Sequence, residues 1–179
     1  MTRLQELYRK EVIPQMKEKF GYKNDLAVPK VEKVVINLGT GPALKDAKLL
    51  DTMIENLKKI AGQIPIKRQA KKAISGFGIR EGMVVGLKTT LRAKRMYHFL
   101  DKLANVVLPR VRDFKGIDPK GFDGHGNLSI GIKEHTVFPE IKAEDVEKIH
   151  GLEIAIITSA KTDKEGKELL KLLGFPFKK

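Results

Sequence analysis

Two stretches, Met83-Val-Val-Gly-Leu-Lys-Thr-Thr-Leu-Arg92 and Asn127-Leu-Ser-Ile-Gly-Ile-Lys-Glu-His135, alternate in a way that settles the fold class. In the first, Met83, Val85, Leu87 and Leu91 share one side, and Lys88, Thr90 and Arg92 share the other. In the second, Leu128, Ile130 and Ile132 alternate with Asn127, Ser129, Gly131, Lys133 and His135. Successive side chains of a strand point to opposite faces, so each stretch has an apolar face and a hydrogen-bonding face. Val31–Leu38 repeats the pattern, with Val34, Ile36 and Leu38 opposed to Asn37. Short strands at Ile64–Gln69 and Gly151–Ser159 bring the total to about five.

Helical spacing fills the intervals. Leu4, Leu7, Tyr8, Val12, Met16 and Phe20 recur at helical period, with Pro14 expected to bend or divide that helix. Ala43, Ala47, Leu50, Ile54, Leu57 and Ala61 mark the core face of a second helix that stops at Gly62. Ala93–Leu108 is a third, with Pro109 just beyond it, and Thr162–Leu173 a fourth, opened by a Thr162-x-x-Glu165 capping box. Helices that cover only the apolar faces imply an α+β fold: one largely antiparallel sheet, helices on one side, the other side open. The 179 residues suit one domain, 1–179, with a flexible Gly-rich loop near 73–82 and a long loop near 110–126.

Charge narrows the function. Of a net +13, a balance of +8 lies between Lys67 and Arg95, where nine basic residues meet one acid, Glu81. From Glu134 to Glu165 eight acids meet four lysines. A dominant basic tract beside a mildly acidic stretch reads as a polyanion binder that also touches a basic partner. An open face holding Asn37, Lys88, Thr90, Arg92, Asn127 and Lys133 is rich in donors and poor in carboxylates. A broad polar face suits RNA, recognised by shape, 2′-hydroxyls and backbone, better than the major groove of DNA. The absence of Cys excludes disulfide scaffolds and thiol chemistry. No apolar run approaches the ~20 residues of a membrane span, and the first residues carry no signal-peptide core. The reading is of an intracellular protein.

Sharper chemical motifs fail on inspection. Gly39-Thr-Gly41 lacks a third glycine, since Leu44 stands there, and no Gly-Lys-Ser/Thr follows. His98, His125, His135 and His150 have no ligand spacing, so no metal or other cofactor is expected. No nucleophile elbow exists and no carboxylate pair stands out, which makes an enzyme the weaker class. The loop Ala73-Ile-Ser-Gly-Phe-Gly-Ile-Arg-Glu-Gly82 has two readings: a partner-seeking basic loop, or a long hairpin that folds Phe77 and Ile79 back onto the sheet.

A series of ordered matches then points to a family: Val28-Pro-Lys-Val-Glu-Lys-Val-Val-Ile-Asn-Leu-Gly39, Gln69-Ala-Lys-Lys-Ala-Ile-Ser-Gly-Phe77, Thr90-Leu-Arg92, Leu108-Pro-Arg-Val-Arg-Asp-Phe-Lys-Gly116, Phe122-Asp-Gly-His-Gly-Asn127 and Phe138-Pro-Glu-Ile141. Over nearly its whole length the chain resembles the bacterial L five family of large-subunit ribosomal proteins, binders of 5S rRNA in the central protuberance. His125 and His135 stand where relatives often have Arg and Gln. The resemblance implies a non-enzymatic protein of the cytoplasmic ribosome whose partners are 5S rRNA, large-subunit rRNA, P-site tRNA and a small-subunit head protein. No membrane and no small-molecule substrate is implied. Together with the alternation it assigns Asn37, Gln63, Lys67, Arg68, Lys71, Lys72, Lys88, Thr90, Arg92, Asn127 and Lys133 to rRNA. Ser75, Gly76, Phe77, Gly78, Ile79 and Arg80 fall to tRNA, and Arg110, Arg112, Asp113, Lys115, Glu140, Glu144 and Asp145 to the subunit bridge. The competing class is a free-standing RNA chaperone or RNA-processing enzyme on a similar sheet.

Overall fold

The computed structural model describes residues 2–44, 46–142, 146 and 148–178. Its order is α1 (Arg3–Leu7), a π-turn (Tyr8–Val12), α2 (Ile13–Phe20), β1 (Val31–Gly39), α3 (Ala47–Ala61), β2 (Ile66–Gln69), β3 (Val84–Leu91), α4 (Ala93–Lys102), a second π-turn (Leu103–Val107), α5 (Leu108–Arg110), β4 (Leu128–Ile132), β5 (Leu152–Thr158) and α6 (Asp163–Leu172). The five strands form one open antiparallel sheet in the order β2-β3-β1-β5-β4, so the fold is α+β. Along β4 burial alternates residue by residue: Leu128, Ile130 and Ile132 are buried, Ser129 and Gly131 exposed.

The chain groups into two compact units, one of Met1–Val34, Leu91–Ile130 and Ile154–Lys179, the other of Val35–Thr90 and Gly131–Glu153. In the first, α1 packs on α4 and α2 on α6 around Leu4, Val12, Met16, Met96, Phe99, Leu100, Leu169 and Leu170, all buried. Pro14 does not break its helix. The ring clashes with the carbonyl four residues back, and the wider π-turn Tyr8–Val12 just before it absorbs that misfit. Pro109 repeats the device after Leu103–Val107 and sits inside α5 rather than beyond the helix. The capping box of α6 is also modified. Thr162 Oγ1 accepts from the Glu165 N–H (3.4 Å), but the Glu165 carboxylate reaches one residue further back, to the Lys161 N–H (2.9 Å).

The long 110–126 loop is stitched to the C-terminal tail. Ile117 N–H donates to Pro176 O (2.8 Å), Lys178 N–H donates to Ile117 O (3.0 Å), and the rings of Phe122 and Phe177 stack at 6.0 Å. Its end depends on two glycines. Gly126 has φ +80°, and a Cβ there would lie 2.7 Å from the Ala160 Cβ. On Gly166, inside α6, a Cβ would lie 2.8 Å from the Gly126 Cα.

In the second unit α3 starts at Asp46, whose carboxylate accepts from the Leu49 N–H (3.1 Å), and ends on left-handed Gly62. Its buried stripe is Leu49, Met53, Leu57, Ile60 and Ala61, rotated from the expected one; Ala47 is exposed and Leu50 and Ile54 only half-buried. Alanine carries too little apolar area to set a helix's orientation against Leu and Met.

The Gly126–Gly166 approach has a measurable consequence. Gly→Ala inside a helix ordinarily stabilises by about 1 kcal/mol. Gly166→Ala is predicted instead to destabilise by roughly 1–3 kcal/mol, because the methyl meets backbone that cannot yield. Gly131→Ala, with nothing within 4 Å and an ordinary φ, should stay within about 0.5 kcal/mol. Urea unfolding of the three proteins decides it: a Gly166→Ala variant as stable as the parent would mean that the contact relaxes freely.

Candidate nucleic-acid interface

Within the second unit, β1, β2 and β3 present a cationic face. Asn37 alternates with buried Ile36 and Leu38, and Lys88 and Thr90 alternate with buried Leu87, Thr89 and Leu91. All four β2 residues are exposed. The β2–β3 register sets Ile66 opposite Lys88 and Arg68 opposite Gly86, so Arg68 shares the Lys88 face. Lys67 is opposite Leu87 and therefore projects from the other side of the edge strand. Lys71 and Lys72 are exposed in the turn after β2, and Lys133 is exposed after β4. Gln63 is held against β3, its Nε2 donating to Thr90 O at 3.4 Å.

These cations lack counter-charges. Among the described residues none of Lys67, Arg68, Lys71, Lys72, Arg80, Lys88, Arg92 or Lys133 is in an ion pair. Elsewhere Lys17, Lys19 and Lys58 pair with carboxylates at 2.6–3.2 Å. Such a concentration of unneutralised charge raises the potential that a phosphate backbone relieves on binding.

The 73–82 segment is a hydrogen-bonded hairpin. Ala70 N–H donates to Met83 O (2.8 Å) and Gly82 N–H to Ala70 O (3.0 Å); Ile74 and Ile79 exchange both backbone bonds, at 2.8 and 3.1 Å. Ser75–Phe77 forms a 3₁₀ turn, closed by Gly78 at φ +64°. Phe77 is 74% exposed, so the tip does not fold its ring back onto the sheet, while Ile79 is half-buried.

In the first unit Arg92 is extended and exposed, and Ala93 at φ +50° turns the chain into α4 directly after it. Asn127 is engaged internally: Oδ1 accepts from Thr158 N–H (3.0 Å) and Nδ2 donates to Asp123 Oδ2 (2.7 Å). That bond from Asn127, joined by backbone N–H groups of His125 and Asn127, holds the Asp123 carboxyl below its ordinary value against the opposing effect of burial. Asn127 thus braces the 123–127 loop, a role its position on the polar side of β4 did not announce.

Arg110, Arg112, Asp113 and Lys115 are exposed around the end of α5, with Asp113 at φ +54°. Glu140 is half-buried in the second unit; Glu144 and Asp145 lie outside the described residues.

His135 departs most from expectation. The strand ends at Ile132, and His135 opens a 3₁₀ turn, fully buried, with its ring stacked on His150 at 3.7 Å and 4°. His135 N–H donates to His150 O (3.1 Å), and His135 Nδ1 lies 3.3 Å from the His150 N–H. Among the described residues neither Nε2 has a hydrogen-bond partner, and no three His, Asp or Glu residues group to hold a metal. Burial pushes both imidazoles down, His150 to about 4, with His135 adding like-charge repulsion there.

That pair predicts a pH dependence. A histidine that stays neutral when folded, but protonates at its ordinary 6.5 when unfolded, contributes stability present above about pH 6.5. This stability drains as pH falls toward 4. Unfolding midpoints measured from pH 8 to pH 4 should fall across that window, less steeply in His135→Gln; identical slopes would place the proton uptake elsewhere.

A broad, unneutralised cationic sheet face on an α+β scaffold defines a polyanion-binding protein. The comparisons with known proteins are specific about which kind. The profile described as "Ribosomal protein L5" matches residues 24–80, and that of the ribosomal L5 family C-terminus matches 84–177. The chain is 57% identical over 178 residues to the large ribosomal subunit protein uL5 of Desulforapulum autotrophicum, covering 99% of both chains. To the proteins of the same name from Natranaerobius thermophilus and Brevibacillus brevis it is 56% identical, again over 99% of each chain. The chain belongs to the L5 family of ribosomal proteins, structural and non-enzymatic components of the bacterial large subunit.

Proposed function

We propose that the chain, acting over 1–179 as one rRNA-binding unit, binds 5S rRNA and attaches it to the large subunit. The observation that carries this is the row of unpaired cations on β2, β3 and the turns beside them, in a family whose partners are ribosomal RNA. Arg68, Lys71, Lys72, Lys88, Arg92 and Lys133 neutralise phosphates, and Lys67 does so around the sheet edge. Asn37, Gln63 and Thr90 contribute hydrogen bonds, and Asn127 holds the adjoining loop in place. The hairpin tip, Ser75 to Arg80, contacts P-site tRNA; its exposed Phe77, three residues before the exposed Arg80 in sequence, supports that reading, because an aromatic ring and a cation on one short hairpin suit a base and a phosphate. Contact with a small-subunit head protein falls to Arg110, Arg112, Asp113 and Lys115, and separately to Glu140, Glu144 and Asp145, the last two assigned from the sequence alone.

Binding measurements on the full chain test the rRNA contact. Log K for 5S rRNA should fall linearly with log salt, with a slope of several units for about six phosphate contacts. Arg92→Ala should cost on the order of 1–3 kcal/mol of affinity. Leu91→Ala, its fully buried neighbour, should instead cost roughly 2–4 kcal/mol of folding stability. Undiminished RNA affinity in a folded Arg92→Ala protein would remove the open-face reading.

Deletion of Gly76–Ile79 separates the two contacts. It should leave the fold and 5S rRNA affinity intact and reduce P-site tRNA retention on reconstituted ribosomes. A sharp fall in melting temperature would make the tip part of the folded core.

A further inference from the structure

Away from the sheet, the first unit contains a cavity of about 450 Å³ lined by Gln5, Tyr8, Arg9, Lys30, Lys94 and Tyr97. Its walls come from four places: α1, the π-turn after it, the turn before β1, and α4. Each is fixed. Tyr8 donates its hydroxyl to Pro29 O at 3.0 Å, and the backbone of Lys30 is tied to Ser159 by bonds of 3.0 and 2.9 Å. Gln5 Oε1 accepts from the Thr2 N–H (3.1 Å), and α1 packs on α4.

The lining holds three cations and no carboxylate. Among the described residues Arg9, Lys30 and Lys94 are in no ion pair. Burial pushes the Tyr8 hydroxyl up to about 12 and raises that of Tyr97, so at neutral pH both phenols are uncharged and bring no negative charge to the cavity. Its volume falls in the range of about 300–1,000 Å³ typical of organic-ligand sites, far more than a lone phosphate fills. Two half-buried phenol rings offer flat apolar surface beside the charges. Cations for a phosphate and aromatic surface for a base, at the scale of one residue, match a nucleotide.

We propose that this cavity takes a single extruded nucleotide of a ribosomal RNA strand, its phosphate on Arg9, Lys30 and Lys94 and its base against Tyr97. The proposal rests on the reading of the chain as an rRNA binder and adds a second RNA contact, separate from the sheet face.

The test uses the full chain bound to 5S rRNA and, separately, to large-subunit rRNA, with adenosine monophosphate as the free-nucleotide probe. Ultraviolet crosslinking should leave a one-nucleotide adduct on the peptide holding Tyr97 or Tyr8 with at least one RNA. Arg9→Ala with Lys94→Ala, both exposed and safe for the fold, should weaken that RNA about tenfold and reduce its salt slope by about two. Tyr97→Ala should weaken it similarly, with Tyr97→Phe close to the parent. Adducts and affinities unchanged in the double variant for both RNAs would overturn the proposal. So would amide resonances around the cavity that respond to adenosine monophosphate but to neither RNA, since the occupant would then be a free nucleotide. Lys88→Ala keeps the two readings apart. Should it leave affinity intact while the cavity variants lose it, the sheet-face reading fails and the cavity stands.

Discussion

Alternation along the strands is the constraint on which the rest of the protein depends. Helices cover one face, and the pleat sends every second side chain the other way whatever its chemistry. On β3 this sends Leu87, Thr89 and Leu91 into the core and forces Lys88 and Thr90 out of it. On β4 it does the same with Leu128, Ile130 and Ile132 against Ser129 and Gly131. A one-residue slip of register would exchange the two sets, burying a lysine without a partner and exposing the leucines. The cationic face and the hydrophobic core are therefore one design seen from two sides.

Charge left unpaired beside charge that is paired gives that face its meaning. Lys17, Lys19 and Lys58 find carboxylates within 3.2 Å, as surface lysines commonly do. Among the described residues the cations between Lys67 and Arg92 do not, and the sequence supplies a single acid across that stretch. Mutual repulsion among them is a standing cost to the folded protein that a polyanion offsets. The same logic applies at smaller scale around Arg9, Lys30 and Lys94, where two neutral phenols stand in place of counter-ions.

Backbone devices hold these surfaces in position. Two π-turns take up the clash of Pro14 and Pro109, so each helix continues past its proline. Glycine contacts let the end of the long loop lie directly against α6. The Asn127 amide then joins that loop to Thr158. Sites built on elements braced in this way keep their geometry without a ligand, which lowers the ordering cost of binding one.

Much of this was legible in the sequence, for a definite reason. Strand and helix periods, the basic tract, the proline and glycine punctuation and the family resemblance are all properties of neighbouring residues, and local geometry translates them directly. The fold class and the charged open face followed from them. What escaped involves residues that meet only when the chain closes. His135 looked like one more polar position on β4, until His150, fifteen residues on, covered its ring. Asn127 looked like a free donor, but Thr158, 31 positions away, takes one end of its amide. The α3 stripe was read one step out of phase because small alanines counted equally with Leu49 and Met53. The cavity of Tyr8 and Tyr97 has no sequence signature, because its six residues come from separate segments. A period reports which way a side chain points, and only tertiary packing decides what it meets there.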